Sequence, residues 1–286
     1  MENKTEARNR TGVLWVFLAS VLFSLGGLGV KLVPWSALAI NGARNLIGAA
    51  VIGLWLLVRR HRLVFNRTVL IGALSMIGVT TLFAVANKLT TAANAIVLQF
   101  TAPVFVILFM AVLFRKKPTR ADVITCLAVL AGVCLFFADG LRAGNQLGNV
   151  AALVSGVCYA GVFMMNAGQG ADALSSCFLG QLTAGVLFTP FCFRETDFSA
   201  VALLAVLGLG ALQVGLAYIF FSAGIKRTPP VTASLIAGLE PILNPLWVAL
   251  FLKERTSLLA LLGAVIVVAS ILIYNVRLAR VGQGDT

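Results

Sequence analysis

Thr232-Ala-Ser-Leu-Ile-Ala-Gly-Leu-Glu240-Pro241-Ile-Leu-Asn244-Pro245-Leu-Trp247 lies inside an apolar run long enough to cross a bilayer. A carboxylate at the centre of such a run costs roughly 2.5–3.5 kcal/mol on insertion scales. Each proline removes a helical hydrogen bond and clashes with the carbonyl four residues back. Pro241 and Pro245 therefore predict an interrupted helix with freed carbonyls at Ala237 and Pro241. In a helical run, Ile236, Glu240, Asn244 and Trp247 share one face. Polar groups of this kind are tolerated in lipid where they face a cavity or a partner helix. The alternative is a kinked helix whose Glu240 is tied to a neighbour for packing alone.

The rest of the chain fits a helical membrane protein. Of its 286 residues 60% are hydrophobic and 11% charged, arranged as long apolar runs between short basic loops. The runs are continuous rather than alternating, which excludes an outer-membrane barrel. Ten spans are expected, at 12–31, 36–58, 68–87, 90–113, 120–138, 147–167, 173–193, 199–222, 228–251 and 257–276. The first is too long for a signal-peptide core and is read as retained. A net charge of +12 could suggest nucleic acid, but the basic residues cluster between spans. Arg59, Arg60, Arg62, Arg67, Arg115, Lys116, Lys117 and Arg120 fall on one side, which predicts both termini in the cytoplasm. Five cysteines lie in or beside apolar runs without a C-x-x-C pair, which argues against a disulfide framework. No histidine–cysteine metal cluster, H-E-x-x-H or phosphate-binding loop is present, so no metal, cofactor or ATP site is expected.

The sequence repeats itself. A shift of 138 lays Lys88, Thr90, Ala95, Pro103, Leu108 and Ala111 on Lys226, Thr228, Ala233, Pro241, Leu246 and Ala249. A slightly smaller shift lays Gly12 and Phe23 on Gly148 and Tyr159. Five spans per copy is an odd number, so consecutive copies point in opposite directions through the bilayer. The expected fold is an all-α integral membrane protein of ten transmembrane helices in two inverted five-helix repeats, 12–140 and 146–276, with cytoplasmic tails at 1–11 and 277–286. Inverted repeats place a substrate site near the midplane, beside interrupted helices; Pro103 and Pro241 mark those interruptions.

Polar residues sort the spans. Val123–Ala138 and Ser257–Tyr274 lack Asn, Gln and charge and read as lipid-facing. In the second span Asn41, Arg44, Asn45 and Gly48 fall on one face. The sixth carries Tyr159, Phe163 and Asn166; the fourth Asn94, Gln99 and Thr101; the eighth Gln213 and Tyr218. The expected substrate-binding set is Glu240, Arg44, Asn41, Gln99, Asn94, Tyr159, Asn166, Gln213, Tyr218, Asn244 and Trp247, with Pro103, Pro241 and Pro245 breaking helices or gating. Arginine stays charged, so Arg44 needs an anion or a wet cavity. It clamps a substrate carboxylate through its planar fork, or it pairs with Glu240 or with helix-end carbonyls. Trp15, Trp35 and Trp55 sit near span ends and read as interface anchors. Lys88 and Lys226 read as snorkelling.

Lys88-Leu-Thr-Thr-Ala-Ala-Asn-Ala-Ile-Val-Leu-Gln-Phe-Thr-Ala-Pro103, Lys226-Arg-Thr-Pro-Pro-Val-Thr-Ala-Ser-Leu-Ile-Ala-Gly-Leu-Glu240-Pro241 and the later Leu-Lys-Glu254-Arg turn resemble the EamA-type branch of the drug/metabolite transporter superfamily. The resemblance covers nearly the whole chain. The first copy departs from it, with Arg115-Lys116-Lys117 where such proteins often place a glutamate. The resemblance implies secondary transport of a small metabolite, often an amino acid or relative and often outward, across the cytoplasmic (inner) membrane. A proton is the expected coupling ion, and a monomer or homodimer the expected state. An uptake transporter or exchanger for a cationic metabolite such as a quaternary amine is the alternative, then a channel or a lipid-handling membrane enzyme. The last would want clustered His, Asp or Glu near an interface, which the sequence lacks; no enzymatic activity is expected.

Overall fold

Side-chain caps start several of the helices. Ser36 accepts from the Ala39 amide, Asn66 from Val69, Thr91 from Asn94, Asp172 from Ser175 and Ser199 from Ala202. Each satisfies an amide that the first helical turn leaves without a partner. The computed structural model describes residues 2–113, 115, 117–143, 146–166, 170–225, 227, 236–253 and 257–282. All regular structure among the described residues is helical. In chain order the helices are α1 (Glu2–Ser24), α2 (Gly26–Leu32), α3 (Ala37–Val58), α4 (Arg67–Leu89), α5 (Ala92–Gln99), α6 (Ala102–Leu113), α7 (Arg120–Ala143), α8 (Gln146–Asn166) and α9 (Ala173–Phe188). A 3₁₀ segment at Thr189–Arg194 follows, then α10 (Ala200–Gly208), a π-helical stretch at Leu209–Leu216, α11 (Ala217–Ile225), and two last helices that we call α12 (Glu240–Leu252) and α13 (Leu258–Gly282). Among the described residues, six segments are long and apolar enough to cross a membrane by length and composition; three shorter apolar helices, at Gln146–Val162, Glu240–Leu252 and Leu258–Tyr274, accompany them.

Three of the apolar runs are irregular halfway along. A single turn residue, Leu25, separates α1 from α2. α5 ends at Gln99 and α6 begins at Ala102, so Pro103 stands in the first turn of α6. α10 and α11 are joined through the π stretch, a geometry that recurs at functional sites. The described part of the ninth run begins with two helical residues, Ile236 and Ala237, then a turn at Gly238 and Leu239, after which Glu240 opens α12 and Pro241 falls in its first turn. Proline is tolerated there because no helical bond is lost. The sequence expectation of bonds lost at Pro241 is therefore corrected: Pro241 starts a helix, and only Pro245 lies within one.

Packing crosses between the two parts of the chain. α3 lies along α9 and the π stretch, α4 along α8 and α9, α1 along α11, and α7 along α13. Glycines allow the close approaches. A Cβ at Gly42 would sit 2.5 Å from the Phe188 carbonyl carbon, and one at Gly210 would sit 2.8 Å from the Arg44 carbonyl oxygen. Small residues at such crossings are how helices associate in lipid, where apolar burial provides no net drive. α7 and α13 show one face to the surroundings, through Ile124, Leu127, Leu258 and Val265, and pack their other faces together around Gly132.

Two sequence readings change. Trp35 is buried rather than placed at an interface, and its indole N–H donates to the Asp197 carbonyl at 2.5 Å. Lys88 does not snorkel freely: its ammonium donates to the Val33 carbonyl. Lys226 lies outside the described residues. All five cysteines are free thiols.

Candidate functional site

A cavity of about 40 Å3 lies where the irregular helices meet. Six of the residues expected from sequence line it: Arg44 from α3, Gln99 from the end of α5, Tyr159 from α8, Gln213 from the π stretch, Tyr218 from α11 and Glu240 from the start of α12. Three of the breaks deliver one of them each. The end of α5 exposes Gln99, the π turn turns Gln213 inward, and the helix start at Glu240 sets a carboxylate at the positive end of the α12 dipole, which favours a negative charge.

Arg44 is 1% exposed, yet its guanidinium meets only neutral acceptors. One terminal nitrogen donates to the Thr80 carbonyl at 2.6 Å and to Asn41 Oδ1 at 3.3 Å. Asn41 Oδ1 also accepts from Asn45 at 2.9 Å, and Asn41 Nδ2 donates to Thr81 at 2.8 Å. This amide ladder fixes the guanidinium against α4. Its Nε has no hydrogen-bond partner among the described residues. Glu240 is not within ion-pair distance of Arg44; the acid–base contact found among the described residues is the hydrogen bond between His61 Nε2 and Asp172 Oδ2 at 2.8 Å. One buried cation and one partly buried carboxyl group thus line a common space, with no ion pair to either among the described residues.

Aromatic rings complete the walls. Phe23 and Phe83 join Tyr159 and Tyr218 around the cavity. Phe23 lies edge-on to Tyr218 at 4.9 Å, and Tyr159 lies edge-on to Phe100 at 6.2 Å. Sequence reasoning did not pick out Phe83, Val79, Thr80 or Val214, whose apolar or small character resembles ordinary packing. Phe23 had a signal: the repeat lays it on Tyr159, and both reach the cavity.

The other expected residues stand elsewhere. Asn41 supports Arg44 from behind. Asn94 donates to Asn149 Oδ1 at 3.1 Å, in a buried cluster with Thr90. Asn244 is fully buried against Gly27, where a Cβ would meet its Oδ1 at 2.2 Å, and neither of its side-chain polar atoms has a hydrogen-bond partner among the described residues. Trp247 donates to Ser24 Oγ at 2.9 Å and so ties α12 to the end of α1. The side chain of Asn166 lies outside the described residues, as does that of Pro103. Among the described residues no cluster of His, Cys, Asp and Glu could hold a metal ion.

Known proteins resemble the chain as follows. The model of the EamA-like transporter family matches it twice, over residues 10–138 and 146–276. A Bacillus subtilis (strain 168) protein named as the uncharacterized transporter YcbK is 28% identical over 187 residues. That match spans 58% of this chain and 58% of that relative's length. A solved crystal structure, described simply as that of a protein, superposes with a TM-score of 0.66 at 22% identity, covering 95% of this chain and 99% of the other; that likeness is one of fold.

Proposed function

The chain belongs to the EamA-like transporter family, a family of multi-pass membrane proteins, and we propose that it is a secondary active transporter of a small zwitterionic metabolite, an amino acid or a close relative, moving it outward across the cytoplasmic membrane. The observation that carries the reading is the unpaired Arg44 and Glu240 on one cavity. Arg44 takes the substrate carboxylate, because a planar fork with spare donors suits two-point recognition. Glu240 takes the ammonium, with the Tyr159 and Tyr218 rings beside it. A zwitterion answers both groups at once, where a simple anion or cation leaves one stranded.

Ten spans in two inverted repeats form the proposed machinery. The double match of the family model supports it. So does the packing: α3–α9 and α7–α13 join spans five apart, while α4–α8 and α1–α11 are exchanged by the same relation. The cavity as described holds a few waters, since one water needs about 10–15 Å3, and a metabolite needs the walls to separate. The breaks at Leu25 and at Phe100–Thr101, with the π stretch, are the hinges on which the halves rock. Both termini lie in the cytoplasm, and a proton is the coupling ion.

The alternative with an observation in its favour is exchange of a quaternary amine, since four aromatic rings and a carboxylate also suit a cation. Thermal-shift measurements on the detergent-purified chain separate the two. Ligands that bind the folded state raise its apparent stability. Zwitterionic amino acids should do so, while their amides and N-acyl derivatives should not. Stabilisation by quaternary amines but not by amino acids overturns the zwitterion reading, and silence from both classes overturns the site.

A further inference from the structure

A second cavity lies outside the central site, at the end of α3. It measures about 470 Å3, within the roughly 300–1,000 Å3 that ligand pockets occupy. Its walls are apolar: Leu56, Leu57, Leu63 and Phe178. Gly53 forms part of the floor, and a Cβ there would lie 2.9 Å from Phe178 Cε2, so the glycine lets the ring lie against α3. Leu57 is 77% exposed, which leaves the groove open sideways, toward the acyl chains of a surrounding bilayer.

The polar end carries a guanidinium. Arg60 and His61 close the groove. Arg60 sits at φ 50°, in the left-handed region that ends α3 and turns the chain back. Its neighbour Arg59 is occupied, with its guanidinium 4.5 Å from the centroid of Trp55; the Arg60 guanidinium has no partner among the described residues. The nearby carboxylate, Asp172, is held by His61 and by Ser175. Arg62 and Arg67 add positive charge on the same loop. An open apolar slot capped by a free guanidinium, at the level of a tryptophan, has the chemistry of one phospholipid: the chain in the slot and an anionic phosphate on the arginine.

We infer that the groove between α3 and α9 binds an anionic phospholipid, with its headgroup phosphate on Arg60 and an acyl chain along Leu57, Leu63 and Phe178. In the proposed orientation this is a lipid of the inner leaflet. Because the loop that carries Arg60 is bonded through His61 to Asp172 at the start of α9, an occupied groove braces α3 against α9.

The test uses the full chain in detergent, titrated with phosphatidylglycerol, phosphatidylcholine and inorganic phosphate, with melting temperature and native mass spectrometry as readouts. Phosphatidylglycerol should stabilise more than phosphatidylcholine. Arg60→Gln should weaken it about fivefold, the effect of one cation near a lipid surface. Arg62→Gln, outside the groove, should leave it unchanged. Leu57→Gln should weaken it with every charge retained, and serves if Arg60→Gln fails to fold. Equal effects of Arg60→Gln and Arg62→Gln mean diffuse surface attraction and overturn the inference. Equal stabilisation by both lipids, or an equal effect of phosphate alone, overturns it too. None of these readouts depends on transport, so failure of the central site and failure of the groove remain distinguishable.

Discussion

Arg44 and Glu240 line one cavity, and no ion pair joins them. Arg44 instead donates to the Thr80 carbonyl and to Asn41, and both acceptors are neutral. A guanidinium held this way is placed without being neutralised. Arg44→Lys keeps the charge but loses the fork. A charged hydrogen bond contributes about 1.5–3 kcal/mol, so substrate binding should fall roughly tenfold to a hundredfold while the protein still folds. Thermal-shift titration with an amino acid that stabilises the wild-type chain measures this. Unchanged binding removes Arg44 from the site.

Orientation gives the second prediction. In a cysteine-free background, a cysteine at His61 should be protected from a membrane-impermeant maleimide added outside, and one at Lys253 should react. The basic loop Arg59–Arg67 is then cytoplasmic, as the positive-inside bias predicts. Labelling of both from the same side contradicts an odd number of spans between them.

Much of this was legible in the sequence, for physical reasons. Apolar runs of about twenty residues and their basic loops are imposed by the bilayer. A charge inside such a run is costly enough to mark itself, which is why Arg44 and Glu240 stood out. Side-chain targets were not legible in the same way. Asn94 and Asn244 look like cavity residues by face, yet one is taken by Asn149 and the other is shut behind Gly27. Phe83 reached the cavity unannounced, because a phenylalanine in lipid carries no polarity signal. Pro241 showed where the helix is interrupted but not on which side of the break it would fall.

That last point makes the third prediction. Pro241 lies in the first turn of α12, so Pro241→Ala restores no hydrogen bond within an existing helix. It removes the constraint that starts the helix at Glu240. Stability should change by less than about 1 kcal/mol, the scale of an Xaa/Pro exchange at a compatible position. Transport should slow because Glu240 loses its fixed place. Wild-type flux in reconstituted vesicles argues that the break has no part in transport.

The loop bond between His61 and Asp172 predicts a pH effect. Burial alone would raise the Asp172 carboxyl, but hydrogen bonds from Ser175 and His61 hold it below the usual carboxylate range. A lowered folded value stabilises the protein fully above the unfolded value of about 3.9, and that contribution disappears as pH falls through the lowered value. Asp172→Asn should therefore melt below wild type at pH 5–6, with the gap closing as the pH drops below about 4. A gap that stays constant into strong acid shows that the carboxylate does not carry the effect.

Glu240 supports the sharpest test, because its three roles part company in one substitution. Glu240→Gln keeps size and polarity and removes the charge. If Glu240 binds the substrate ammonium, the variant should fold but lose thermal stabilisation by the zwitterion, with both driven flux and exchange suppressed. If it carries the coupling proton, substrate binding should persist. A carboxylate moved between a dry and a wet setting changes its proton affinity, so gradient-driven flux should vanish while exchange of substrate for substrate continues. If it only holds helices together, removing the charge should lower melting temperature and expression, because it would strand whatever the carboxylate balances. The geometry argues against the last outcome, since Arg44 is held by Asn41 and Thr80 rather than by Glu240. A stable Glu240→Gln protein that binds, exchanges and pumps like wild type would show that the cavity between Arg44 and Glu240 is not the path of the substrate.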